Sequence, residues 1–215
     1  MPETMTSAPI SVEQYRALQR PIVLPTPQQL FDQMVERLKA KFEGSGIFKP
    51  SHADPFRRGL PYKLFLLVPP QPKALLVDRD LLNHVVSLVE ANGKTGKNYL
   101  DPKDLKDLIE IPEGPSLLMD IEDGNKRRDV KPSVSRENIK AEGRHPYTTW
   151  MGIVHAIVFP EVFQSHNMDL VGSRSEPGST PFLSLGGGGG RLDAVWGDDA
   201  DPKWGAPSCG SVIGA

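Results

Sequence analysis

Apolar residues recur along this chain with periods that alternate between helix and strand. After Thr26 and Pro27, which read as an N-cap and a first helical position, Leu30, Phe31, Met34, Val35 and Leu38 fall on one face at helical spacing, predicting a helix within residues 25–42. Gly44, Ser45 and Gly46 stop it, and the stretch to Pro61 has no periodicity and reads as a loop. Tyr62 to Val68 is a nearly continuous apolar run closed by Pro69 and Pro70, the pattern of a buried strand, and Ala74 to Val77 is a second apolar piece. Asp78 or Asp80 then caps a helix over residues 81–90, in which Leu82, Val85, Val86 and Val89 share a side.

Further along, Lys94 to Leu100 reads as a short strand, Asp101-Pro102 as the start of a helix reaching Ile109, and Pro115 to Ile121 as a strand ended by the turn residues Glu122, Asp123 and Gly124. The basic run from Lys126 to Arg144 reads as a solvated face, with a small helix capped by Ser133 or Ser135 and ending at Ala141. Thr148 or Thr149 caps the next helix, in which Met151, Val154, His155 and Val158 recur at helical spacing and which is expected to be buried. Strand-like pieces follow at residues 170–173, 181–185 and 191–196, and the glycines between the last two predict an antiparallel hairpin. The fold class is therefore α+β: an extension over residues 1–24, then a single domain over 25–215. Its sheet is mixed or mostly antiparallel, with helices chiefly on one face and a C-terminal hairpin.

Composition narrows the function classes. The chain has 215 residues, enough for a substantial core, and its 21 prolines and 20 glycines imply many turns between the apolar runs. A formal charge of -2 offers no electrostatic case for nucleic acid or an anionic membrane, and no apolar run is long enough to span a bilayer. The lone Cys209 and an N-terminus without an apolar core point to a reducing, cytoplasmic location.

Candidate chemistry concentrates between Leu170 and Ser211. The run Gly186 to Gly190 lacks the Lys and Ser or Thr of a phosphate loop and precedes a strand, so a hairpin loop is the better reading. The spacing of Asp193, Asp198, Asp199 and Asp201 matches no calcium loop, and turn chemistry accounts for them, so no metal is expected. No cofactor is implied either. Arg174, Trp196, Trp204, Ser208 and Cys209 are the candidate ligand-binding residues, with Arg174 as an anion fork and the tryptophans as pocket lining. Cys209 is also a candidate nucleophile, with His145, His155 or His166 as its base.

The segments EGRHPYTTWMGIVHAIVFPEVF, LVGSR, PFLSL, RLDAVW and WGAPSCGS, in this order, resemble an uncharacterised family, a domain of unknown function common in actinobacteria. The likeness runs from about residue 61 to 211, and the first sixty residues look divergent. It includes Gly143, Arg144, Gly172, Ser173, Arg174, Trp196, Trp204, Gly205, Ser208 and Cys209, and it implies no established activity. The resemblance puts a second Cys where this chain has Val195, which weighs against a paired-thiol site.

Three functions fit these residues. The first is a small-molecule-binding protein, including a cofactor-independent enzyme of specialised metabolism. The second is an interaction or homo-oligomerising module docking through Trp204 and the tail, and the third is a thiol enzyme using Cys209.

Overall fold

The computed structural model describes residues 24–186 and 188–215, so all of the expected N-terminal extension except Leu24 lies outside the described residues. Helix α1 (Pro27–Lys41) forms where expected. The Thr26 side chain accepts from the Gln29 backbone N–H while the Gln29 side chain returns to the Thr26 N–H, a reciprocal cap that satisfies two otherwise orphaned donors. Its buried stripe, Phe31, Met34, Val35 and Leu38, packs on helix α4 (Thr149–Val158) and strand β1 (Phe65–Val68). All ten residues of α4 are buried. This helix touches α1, β1 and strand β8 (Ser179–Gly186), and is the common core element of both sheets.

The first sheet is antiparallel, with β4 (Ser116–Met119) between β1 and β12 (Ser211–Gly214). The second is mixed: β8 pairs with β9 (Gly189–Trp196) in the expected hairpin, flanked by β6 (Asn167–Asp169) and β10 (Trp204–Gly205) on one side and β2 (Lys97–Asn98) on the other. Helix α2 (Arg79–Ser87), capped by Asp78, covers β2 and β9. Two short ladders complete the α+β fold: β3 (Lys106–Asp107) with β7 (Ser173–Arg174), and β5 (His145–Pro146) with β11 (Ser208–Cys209). One apolar cluster runs from Phe31 to Cys209.

Local context overrides propensity in several places. Residues 50–56, read as loop, form a 3-10 helix that buries Ala53 and Phe56. The apolar piece Ala74 to Val77 is a turn, closed by the Asp78 N–H donating to the Ala74 carbonyl at 2.8 Å. The helix expected from Asp101 to Ile109 stops at Asp104, because β7 recruits Lys106 and Asp107 into a ladder. Helix α3 (Pro132–Ala141) begins at Pro132, whose fixed φ suits the first helical position, so Ser133 and Ser135 lie inside it and neither caps it. Residues 170–172, expected as strand, instead form the turn between β6 and β7, and of the expected strand only Ser173 is in one.

Candidate functional site

The basic run is not simply a solvated face. Arg127 is 4% exposed and pairs with Glu122 and, at 2.5 Å, with Glu142. Arg144 donates to the Ser208 hydroxyl at 2.9 Å and to the Asp120 carbonyl at 2.6 Å, and Ser208 donates to Glu122 at 3.3 Å. Burial works against the Glu122 carboxylate, yet the hydrogen bond and charge of Arg127, helped by Lys126 and Arg144, hold its carboxyl below the ordinary value. Ser208 therefore serves an ion network that ties β4 to β5 and β11. What distinguishes Arg127 and Arg144 is the convergence of Glu122, Glu142 and Asp120 on them, which a linear charge pattern does not reveal.

Cys209 lies fully buried beside this network, and burial pushes its thiol up to about 12 against the opposing charge of Arg144. At neutral pH that sulfur is a protonated core group rather than a thiolate. His145 faces it across the β5–β11 ladder but is itself exposed. His155 is buried in α4 with Nδ1 3.3 Å from the Tyr147 hydroxyl; burial lowers its pKa to about 4, outweighing the opposing charge of Asp123, so the ring is neutral. Both ring nitrogens of His166 are engaged, with the Ser165 hydroxyl at 2.7 Å and the Asp123 carbonyl at 2.9 Å.

Arg174 and Trp196 come together; Trp204, Ser208 and Cys209 do not join them. The two line an open cleft of about 380 Å³, within the size range of small-molecule sites. Trp204 instead stands edge-on to Phe182, with ring centroids 4.2 Å apart.

The cleft is built from short pieces held in place by polar contacts. The Ser173 hydroxyl accepts from the Thr149 N–H at 2.8 Å and donates to Asp107 at 2.6 Å, locking the β3–β7 ladder onto the start of α4. A side chain at Gly172 would stand 2.6 Å from the Tyr147 carbonyl oxygen, so only glycine allows this approach. The ladder places Lys106 directly across from Arg174. On the helix side, Arg136 donates through Nε to the Val171 carbonyl at 2.7 Å and lines the same cleft. Burial lowers the Arg136 pKa, and the charge of Glu137 offsets only part of that.

Trp196 sits at the end of β9, 55% exposed. Its ring rests on Gly178, where a Cβ would meet it at 2.6 Å and where φ is +85°. Ser133 donates to Asp198 at 2.9 Å on the cleft rim. Two other aspartates of the segment are engaged separately: Asp193 pairs with Arg191, and Asp201 accepts from the Lys203 N–H at 2.7 Å. Among the described residues, no group of three or more His, Cys, Asp or Glu is placed to hold a metal ion, and no helix is long and apolar enough to cross a membrane.

The family of unknown function DUF5701 matches residues 28–207. The chain belongs to this family. The DUF5701 match reaches back into α1, well before the residue-61 start expected from the motifs, and it takes in every element that lines the cleft. No curated protein and no solved structure matches the chain. Sequence reasoning named Arg174 and Trp196; it left Lys106 unremarked, with Asp104 and Glu110 at strand and helical spacing around it, and read Arg136 as part of the solvated basic run.

Proposed function

We propose that this protein binds a small anionic molecule in the cleft between Arg174 and Trp196. The observation that carries the reading is a concentration of uncompensated charge. Lys106 and Arg174 stand directly opposite each other, Arg136 lines the same space, and among the described residues none of the three has a carboxylate at ion-pair distance. Like charges directly opposite each other across a ladder destabilise it, a cost that a bound anion reverses. An arginine whose Nε is already anchored presents its remaining N–H donors in a fixed direction, which suits recognition of an oxyanion.

A thermal-shift screen of carboxylate and phosphate metabolites tests this. A ligand held at a hundred times its Kd adds about 2.7 kcal/mol, or about 5–10 °C for a chain of this size. Wild-type protein is expected to show such a shift with at least one anion and Arg174→Gln to lose it; a screen in which no anion distinguishes the two proteins overturns the reading.

A second reading, an interaction surface, draws on exposed apolar residues at the same place. Leu108 and Trp196 line the cleft and are 40% and 55% exposed, and Val134, next to Ser133, is 44% exposed. Light scattering separates the two: a stable dimer weakened by Trp196→Ala favours the interface, and a monomer favours the small-molecule site.

A further inference from the structure

We propose that the ligand is a phosphomonoester carrying a flat ring, its dianionic phosphate held among Lys106, Arg136 and Arg174 and its ring stacked on Trp196. This rests on the anion-cleft reading above and sharpens it in charge, shape and size.

Charge comes first. The cleft is lined by three cations, Lys106, Arg136 and Arg174, and one carboxylate, Asp198, a net of +2 (three minus one). A monocarboxylate or a sulfate ester leaves one positive charge unmatched, whereas a phosphomonoester carries about -1.5 to -2 near neutral pH. A diphosphate would overshoot and bring its second phosphate towards Asp198. That aspartate, already accepting from Ser133, is instead suited to a hydroxyl or amine elsewhere on the ligand.

Shape agrees with charge. The cations come from three elements, β3, β7 and α3, with Lys106 and Arg174 neighbours across one ladder and Arg136 lining the same cleft from the helix. A planar carboxylate offers two oxygens, which one arginine fork saturates; a phosphate monoester offers three terminal oxygens, one for each cation. Arg136 reinforces this geometry, since its Nε is tied to the Val171 carbonyl and its terminal nitrogens remain for the ligand.

The ring follows from Trp196. An indole seated on a glycine, more than half exposed at the edge of a polar cleft, is a platform for another flat group. Stacking of a base on an aromatic side chain contributes about 1–3 kcal/mol. A cleft of about 380 Å³ accommodates one ring system and one phosphate, and little more.

Isothermal titration calorimetry at low ionic strength tests the assignment with 1-naphthyl phosphate, 1-naphthyl sulfate and inorganic phosphate. The two esters share ring and tetrahedral head group but differ by one charge. At about pH 7.5, 1-naphthyl phosphate is expected to bind about tenfold or more tighter than either other anion. The lining contains no histidine, so the group that titrates between about pH 5 and pH 7.5 is the ligand's phosphate; its ester therefore tightens over that interval while the sulfate does not. Lys106→Gln and Arg136→Gln should each remove the advantage of phosphate over sulfate, and Trp196→Ala should weaken the esters without changing inorganic phosphate. Equal affinities for the two esters would refute the dianion assignment and leave the anion cleft standing. Failure of all three anions to bind would overturn both.

Discussion

Replacing Asp169 by Asn should stabilise this protein at neutral and alkaline pH, with the gain fading through mild acid and gone near pH 4. Asp169 ends β6 opposite Phe182, is 2% exposed, and its Oδ1 has no hydrogen-bond partner among the described residues. Burial, and secondarily the charge of Asp201, raises its pKa from the ordinary 3.8 to about 7. The sign follows from proton counting. Between pH 3.8 and about 7 the unfolded chain has lost this proton and the folded chain keeps it, so folding stability falls as pH rises through that window and is flat above it. The difference corresponds to about 4 kcal/mol at full effect, and an Asn, which matches the protonated acid in shape, should recover about 2–4 kcal/mol of it at pH 8. Urea unfolding of wild type and Asp169→Asn at pH 4, 6 and 8 measures this as a difference in which the other carboxylates cancel. A gain that is the same at all three pH values, or a variant less stable than wild type at pH 8, would refute the reasoning.

The other expected outcomes concern the ion network, the tryptophan platform and the thiol. Arg127→Ala should cost about 1.5–3 kcal/mol in chemical denaturation, because Glu122 and Glu142 lose the charge-assisted hydrogen bonds of a nearly buried guanidinium and keep only Lys126 and Arg144 beside them; a loss below about 0.5 kcal/mol would mark the network as energetically idle. Gly178→Ala should destabilise by about 1–3 kcal/mol through a left-handed φ and a clash with the Trp196 ring, and should change the tryptophan emission; an unchanged midpoint and spectrum would contradict that contact. Cys209 should react with iodoacetamide at pH 8 only as fast as the protein unfolds, since its thiol is buried and pushed up to about 12; rapid native-state alkylation would restore it as a candidate nucleophile.

Elements whose signals are local were legible in the sequence. The Thr26-Pro27 start of α1, the buried stripe of α4 and the glycine-linked β8–β9 hairpin each depend on residues a few positions apart, and each formed as read. Elements made by distant partners were not. Lys106–Asp107 and Ser173–Arg174 are strands of two residues, too short for any periodicity, and exist because a third group, the Thr149 N–H, fixes Ser173 between them. The candidate site divided for the same reason. Trp196, Trp204 and Cys209 are close in sequence, but the turn through Asp198 and Asp201 carries the chain from the cleft to the far edge of the second sheet and then into the β5–β11 ladder. Proximity along the chain grouped them, and the sheet order separated them. Arg127 was read as part of a solvated face because burial of a cation depends on two carboxylates, Glu122 and Glu142, whose convergence on it is a property of the fold.

The most direct test of the anion cleft is a native mass spectrum of the protein purified at low salt from its own cells, beside the same preparation of Arg174→Gln. Wild type is expected to carry a bound small molecule whose released mass and fragmentation show an anionic group, and the variant to be bare. Two bare proteins, or the same adduct on both, would contradict the account.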